Sequence, residues 1–155
     1  LEISDGSIEL DHKLKCKYIN QLSKKGYCIL SEVGSKMGNV VIPPFRWIEM
    51  MQAELDAGSW KVVAEAREGG NVGIFQESGD VRSDLRDEIT RKIKVESILW
   101  EAPKKNQQVW FIKLLGANVN LGNIATNEVV SIPTIDATLM TSSTLRTTSK
   151  ILVKN

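Results

Sequence analysis

The sequence is poor in the residue types that most often build metal and redox sites. Among its 155 residues there are two cysteines, Cys16 and Cys28, and a single histidine, His12. The cysteines lack the spacing of metal ligands, so nothing indicates a zinc site. We expect both to be small core residues of a protein from a reducing compartment, the cytoplasm. His12 lies among charged residues near a predicted helix start, and we expect it at the surface.

Other absences narrow the classes of function. The formal net charge of +1 gives no broad attraction to nucleic acid or to an acidic membrane surface. Aromatic residues make up 6% and are not interleaved with Lys or Arg, as they are in single-strand binding platforms. No apolar run approaches the roughly 20 residues of a membrane span, and no signal-peptide pattern opens the chain. The defining loops of dinucleotide and nucleoside-triphosphate sites, GxGxxG and GxxxxGK[ST], are absent.

What the sequence does contain is a repeated alternation of short apolar runs and helical patterns. Hydrophobic residues at 42% and charged residues at 25% are typical of one globular domain of this length. Strands are predicted at 1–4, 27–31, 61–65, 97–100 and 118–121. Helices are predicted at 9–25, 45–57, 83–93 (with Ser83 as its N-cap), 105–115 and, more weakly, 127–140. This alternation predicts an α/β fold of right-handed βαβ units around a parallel sheet.

Acidic residues end three of the predicted strands at the same place. Glu32, Glu65 and Glu101 each follow an apolar run and precede a loop. The corresponding places in the first and last units hold Asp5 and either Asn120 or Asn123. The carboxyl ends of parallel strands converge on one face, which carries the site in barrels and open sheets alike, so the acids predict a shared site. The alternative is that each strand end is simply solvated.

The residue types at this face indicate a metal and an anionic substrate. Clustered carboxylates repel one another unless a cation or a shared proton compensates them. Oxygen ligands without Cys or His favour Mg²⁺ over zinc. The basic residues Lys36, Arg67 and Lys104 or Lys105 follow three of the strands, which suits a phosphate or carboxylate substrate. Each of them alone could equally be an ordinary surface charge.

Five segments together resemble one known family. They are EISDGS (2–7), LSEVGSK (30–36), AEAREGG (64–70), WEAPKKNQQVWFI (100–112) and NVNLGNI (118–124). In order and spacing, over residues 2–132, they resemble the phosphosulfolactate synthases of coenzyme M biosynthesis. The resemblance implies a TIM (β/α)₈ barrel and a Mg²⁺-dependent lyase that adds sulfite to phosphoenolpyruvate, giving (2R)-phospho-3-sulfolactate.

The resemblance also implies roles for individual residues. Glu32, Glu65 and Glu101 map onto the acid set and are the expected metal ligands. Lys36 and Arg67 are expected, together with Glu65, to act as catalytic, anion-binding or proton-donating groups. The expected substrate contacts are Asp5, Lys104, Asn120 and Asn123.

The chain departs from the family pattern at both ends. It begins without methionine in an already alternating segment, which predicts a piece of a longer protein. Residues 1–132 are expected to be the carboxyl-terminal part of the barrel, about five of eight units, whose exposed edge strands would favour a homo-oligomer. Residues 133–155 form a divergent Thr/Ser-rich tail, where Asp136 and Met140 stand at two family arginine positions.

Two other functions remain open at this stage. A non-catalytic, stress-related or interaction protein could keep the partial barrel as a scaffold. Another lyase or aldolase-type barrel could act on small phosphorylated acids, because a fold alone does not fix a reaction.

Overall fold

A computed structural model of the chain describes residues 1–4, 10–34, 42–66 and 73–127, together with the backbone of 151–153. The strands are β1 (Glu2–Ile3), β2 (Leu30–Val33), β3 (Lys61–Ala64), β4 (Ile98–Glu101), β5 (Asn120–Ile124) and β6 (Ile151–Val153). The α-helices are α1 (His12–Lys24), α2 (Pro44–Ala57), α3 (Ser83–Lys92) and α4 (Lys105–Leu115), with a short 3₁₀ turn at Val95–Ser97. None of the described helices is long and apolar enough to cross a membrane.

The strands form one parallel sheet whose spatial order follows the chain, from β1 to β6. A doubly wound sheet reverses its strand order at a switch point, and this sheet does not. Sequential order with right-handed connections places every helix on the same face, which is the arrangement of a TIM barrel. The predicted fold class, an α/β partial TIM barrel, is therefore confirmed.

One face of the sheet packs against the helices and forms the main core. The buried strand residues on this face are Val33, Val62, Ala64, Ile98, Trp100 and Leu121. Trp47 and Met51 of α2 and Phe111 of α4 cover them. The rings of Trp100 and Phe111 stack with their centroids 5.0 Å apart. Because these strands alternate, every second side chain points to the opposite face.

The opposite face carries a row of residues that are paired in register across four strands. Glu32 is level with Val63, Val63 with Leu99, and Leu99 with Asn120. All four are at least nine-tenths buried. In a barrel this face is the interior, and Glu65 and Glu101 extend it one inward position beyond Val63 and Leu99.

Some element boundaries differ from those predicted. Ser83 is the first residue of α3 rather than its cap, which is Arg82, and the Ser83 hydroxyl donates to the carbonyl of Val81. Strand β5 begins two residues late, because the Val119 amide still bonds to the Gly116 carbonyl in the preceding turn. Strand β6 was not predicted and pairs with β5. The weak helix at 127–140 lies, from residue 128 on, outside the described residues.

The expectations for the cysteines need correction. Cys28 is exposed and Cys16 is only half-buried, and both are free thiols. Cys28 lies two residues before β2, at the amino end of the sheet. The prediction of two core cysteines was therefore wrong.

Candidate active site

The three strand-end glutamates lie on neighbouring strands at the edge where the strands end, here called the carboxyl edge. Glu32 is in β2, Glu65 directly follows β3, and Glu101 is the last residue of β4. The exposed fraction of each is 3%. Strand ends that were simply solvated would expose these side chains, so the solvated alternative does not describe them.

The glutamates lie at two heights on the barrel face. Ala64 pairs with Trp100, so the next residues, Glu65 and Glu101, are side by side on strands about 4.8 Å apart. Glu32 instead pairs with Val63, two residues before Glu65. Glu65 and Glu101 therefore form the upper pair, and Glu32 lies one inward position deeper.

The residue level with Glu65 is Gly34, which directly follows β2. It follows the pair Val33–Ala64 and has a φ of +146°, a conformation that other residues rarely adopt. A Cβ at Gly34 would overlap the Cβ of Glu65 and lie 2.9 Å from the Trp47 ring. The glycine thus supplies the space that the Glu65 side chain occupies.

The backbone around Glu65 is held by several parts of the chain. The Glu65 amide donates to the Val33 carbonyl at 3.0 Å, and the Ile74 amide donates to the Glu65 carbonyl at 3.0 Å. The amide of Ala66 donates to Oε2 of Glu101 at 2.7 Å. One oxygen of Glu101 therefore binds the backbone segment that directly follows β3, Glu65–Ala66.

Asn123 contacts the same backbone segment, at the carbonyl of Ala66 rather than at its amide. The sequence predicted it in a loop after the last strand, but it lies inside β5 with a φ of +57°. Its side-chain amide donates to the Ala66 carbonyl at 3.1 Å. Its predicted role as a substrate contact stays a prediction, beside this backbone contact that the sequence did not reveal.

Two other predicted substrate residues lie apart from each other. Asn120 is the first residue of β5, and its side-chain amide donates to the carbonyls of Ile98 at 2.9 Å and Glu96 at 3.3 Å. This contact ties β5 to β4 below the carboxyl edge. Lys104 is exposed at the start of α4, immediately after β4, where a basic side chain can approach a ligand at the edge. The predicted residues Asp5, Lys36 and Arg67 lie outside the described residues.

A buried charged cluster behind β2 was missed by the sequence interpretation. Lys15 of α1 is 2% exposed and lies 2.8 Å from the carboxylate of Glu54 of α2, which is fully buried. The Lys15 ammonium also donates to the backbone carbonyl of Glu32. A signal was present, because Lys15 and Ile19 are four residues apart on α1, and Met51 and Glu54 are three apart on α2.

His12 belongs to the same cluster. Its Nε2 lies 3.3 Å from the Glu54 carboxylate and 3.8 Å from the Cys16 sulfur. The side chain of His12 is 24% exposed, so it reaches the surface and also contacts this buried carboxylate. Burial raises the pKa of the Cys16 thiol, and the negative charge of Glu54 raises it further. A raised pKa keeps the thiol protonated at neutral pH, which disfavours its use as a nucleophile.

The described residues give a limited test of the predicted magnesium site. Within them, no group of three or more His, Cys, Asp or Glu side chains is arranged to hold a metal ion. Mg²⁺ often takes only one or two carboxylates and keeps several waters. The upper pair, Glu65 and Glu101, offers hard oxygen donors of this type. The ligand set of Glu32, Glu65 and Glu101 stays a prediction.

The chain is similar in sequence to one family of known enzymes. Residues 1–140 match the family model for (2R)-phospho-3-sulfolactate synthase (ComA). Over 138 residues the chain is 41% identical to the phosphosulfolactate synthase of Methanothermobacter thermautotrophicus. It is 38% identical to that of Bacillus subtilis and 36% identical to that of Methanocaldococcus jannaschii. These alignments cover 87% of the chain but only 54–55% of each relative.

The chain therefore spans just over half the length of the curated relatives that it matches. The predicted boundary between barrel and tail at residue 132 is tested neither by the family match, which runs to 140, nor by the described residues. With a family match over most of its residues and three similar enzymes, the chain belongs to the phosphosulfolactate synthase family.

Proposed function

We propose that this chain carries part of the active site of a magnesium-dependent lyase that adds sulfite to phosphoenolpyruvate, giving (2R)-phospho-3-sulfolactate. The observation that supports this most is the set of three buried glutamates at the carboxyl ends of consecutive barrel strands. Relatives at 36–41% identity bear the name of this enzyme. The two free thiols agree with a cytoplasmic enzyme.

The proposed reaction is a conjugate addition. The lone pair of the sulfite sulfur forms a carbon–sulfur bond to the methylene carbon, and the electrons of the double bond move toward the carboxylate. The carbon bearing the phosphate then takes up one proton, so no bond to phosphorus breaks and no oxidant is needed. The site must therefore stabilise the negative charge that develops on the carboxylate and deliver a proton to one carbon.

In this proposal Glu65 is the central acidic group. Its backbone is hydrogen-bonded on both sides, and the base of its side chain occupies the space beside Gly34, so the direction in which the side chain leaves the backbone is set. A side chain directed in this way suits the orientation of a metal or of a proton donor. Lys36 and Arg67 are the proposed anion-binding or proton-donating partners. Lys104 is well placed to attract an anionic substrate to the edge.

Mg²⁺ is the proposed cofactor. Glu65 and Glu101, or Glu65 and Glu32, would hold it with water and substrate oxygens. When bound, the ion supplies positive charge beside the substrate carboxylate. Three buried carboxylates on adjacent strands repel one another unless positive charge lies nearby. In this proposal the ion and the basic residues supply that charge.

The replacement Glu65→Gln tests this function directly. It removes the charge but keeps the shape, so we expect Mg²⁺-dependent turnover to fall by about 100-fold or more, the scale of a lost acid–base or ligand group. The purified chain is incubated with sulfite, phosphoenolpyruvate and Mg²⁺, and phosphosulfolactate is measured by mass spectrometry. Glu49→Gln is the matched control, because Glu49 pairs with Arg46 on the exposed face of α2.

The outcomes separate the functions that the sequence left open. Product from the unaltered chain and from Glu49→Gln, but not from folded Glu65→Gln, supports the proposal. Near-normal turnover by Glu65→Gln would contradict the central role of this residue. A folded chain that yields no product, either alone or together with the part of a family enzyme that it does not match, would favour a non-catalytic scaffold.

A further inference from the structure

Both backbone polar groups of Ala66 are bound by side chains from the next two strands. Its amide donates to Oε2 of Glu101 at 2.7 Å, and its carbonyl accepts from Nδ2 of Asn123 at 3.1 Å. Ala66 is 1% exposed, and buried peptide groups require partners. Elsewhere in the sheet neighbouring backbones supply such partners. Here β3 has ended, and a carboxylate of β4 and an amide of β5 take their place.

The adjoining peptide groups are held as well. The Glu65 amide bonds to Val33 of β2, and the Glu65 carbonyl accepts from Ile74. Gly73 makes this last contact possible, because a Cβ there would overlap the Glu65 carbonyl oxygen. The backbone donors and acceptors of Glu65 and Ala66 are therefore all hydrogen-bonded. Such bonding fixes the backbone dihedral angles that aim the Glu65 side chain.

The conformation of Asn123 is what allows it to reach Ala66. Leu121 and Ile124 are three residues apart, yet both belong to the core beneath the helices. The pairing of β5 with β6 shifts register between them, as at a β-bulge. One extra residue is thus inserted, and Asn123 takes it up in a left-handed conformation, with a φ of +57°. Bulges commonly re-aim a side chain next to an active site, and Asn is among the few residue types that tolerate this conformation.

We infer that Asn123 is a positioning residue, which together with Glu101 clamps the backbone N–H and C=O groups of Ala66 and thereby fixes the direction of the Glu65 side chain. This inference rests on the proposed function, in which Glu65 is the central acidic group. It differs from the prediction that Asn123 binds substrate, because its amide is directed at a backbone carbonyl of its own chain. A local conformation that is unfavourable for most residues persists where the surroundings determine it and often has a functional reason.

Loss of the clamp should impair the chemical step more than substrate binding. If Glu65 is misdirected by about 1 Å, kcat should fall by roughly 10- to 100-fold, because reacting groups lose their alignment. KM should change by less than about twofold if Asn123 makes no contact with substrate. A direct substrate contact made equally in ground and transition states would give the opposite division, with KM raised and kcat preserved.

Two substitutions separate the side chain of Asn123 from its backbone conformation. Asn123→Gly keeps the left-handed conformation and removes the amide, whereas Asn123→Asp keeps the shape and places an acceptor against the Ala66 carbonyl. The matched control is Asn20→Asp. Asn20 of α1 makes the same type of bond, from Nδ2 to the Ala57 carbonyl at 3.2 Å, but between two helices.

The test measures kinetics together with amide hydrogen exchange on the full chain. In both Asn123 variants we expect the lower kcat described above and exchange at Ala66 and Ile74 that is roughly fivefold faster or more, as follows from loss of one ordinary hydrogen bond. Asn20→Asp should lower the unfolding free energy by about as much as the Asn123 variants do, but it should leave kcat and both exchange rates unchanged. Asn123→Asp should be affected at least as strongly as Asn123→Gly.

The two measurements keep the clamp distinct from the proposed function. If the unaltered chain forms no phosphosulfolactate even with the unmatched part of a family enzyme added, the proposed function fails, and the exchange rates alone decide whether the clamp exists. Unchanged exchange at Ala66 in both variants overturns the inference whatever the kinetics show. A raised KM with preserved kcat also overturns it and assigns Asn123 to substrate binding.

Discussion

Glu65 occupies its place because the residue beside it on the neighbouring strand has no side chain. Gly34 has both a backbone conformation and a position that exclude a Cβ, since this atom would overlap Glu65 and approach Trp47. The site thus depends on the lack of a side chain at Gly34 as much as on the carboxylate of Glu65. Charge patterns in the sequence do not indicate such a glycine, although its substitution should disturb the site.

Replacement of Gly34 by Ala should therefore destabilise the protein and displace Glu65. We expect a loss of unfolding free energy of roughly 1–3 kcal/mol from overpacking, in addition to the strain of the left-handed backbone. Gly116→Ala is the control, because Gly116 has a φ of +87° but a Cβ there would meet nothing within 4 Å. Urea unfolding and amide exchange at Glu65 are the measurements. Equal losses in the two variants would show that the contact with Glu65 is unimportant.

At the scale of elements, two helices and a strand are joined by buried charge. Lys15 of α1, Glu54 of α2 and the Glu32 carbonyl of β2 meet in the helix layer. The pairing of β2 with β1 is described only at Leu30 and Ser31, so the Glu32 carbonyl lies past that ladder. The Lys15 ammonium gives this carbonyl a donor and joins α1 to the strand that carries Glu32.

Removal of one member of this ion pair should be far more damaging than removal of both. Lys15→Met leaves the Glu54 carboxylate buried without its ammonium, which should reduce the unfolding free energy by about 3–5 kcal/mol. The double variant Lys15→Met/Glu54→Gln should recover much of that loss, because no buried charge is left uncompensated. Denaturant unfolding measures each variant.

The exposed pair of Arg46 and Glu49 on α2 provides the matched control. These side chains are 51% and 59% exposed and lie 3.0 Å apart. Arg46→Gln should change the unfolding free energy by no more than about 1 kcal/mol. A loss for Lys15→Met as small as that of Arg46→Gln would mean that the buried pair contributes little to joining α1 and α2.

At the scale of the whole molecule, the sequence was sufficient to predict the architecture and the three glutamates at the strand ends. It was not sufficient to predict the residues that hold the surrounding backbone in place. Glu32, Glu65 and Glu101 were predictable, because each ends an apolar run in a repeated unit and parallel strands bring such ends together. The bulge at Asn123 was not, since it depends on how β5 pairs with β6. The buried Lys15 had a signal in its spacing from Ile19, but this signal is easily missed because lysine side chains are almost always exposed to solvent.

Strand β1 lies at an edge of the described sheet, and this edge predicts how the chain behaves when the remaining part of a family barrel is added. Among the described strands β1 pairs only with β2, and the relatives are nearly twice as long as the region that they share with this chain. Such an edge can accept another strand. We propose that, when the rest of a barrel is not supplied, the edge strands of separate copies pair and the chain forms a homo-oligomer.

Adding the unmatched part of the M. thermautotrophicus relative should replace this self-association and raise phosphosulfolactate formation. Light scattering and mass spectrometry follow the two changes, and a chain carrying Glu65→Gln should still assemble but remain inactive. If the mixture is no more active than either part alone, although both are folded and bound to each other, then the glutamates of this chain do not complete the site.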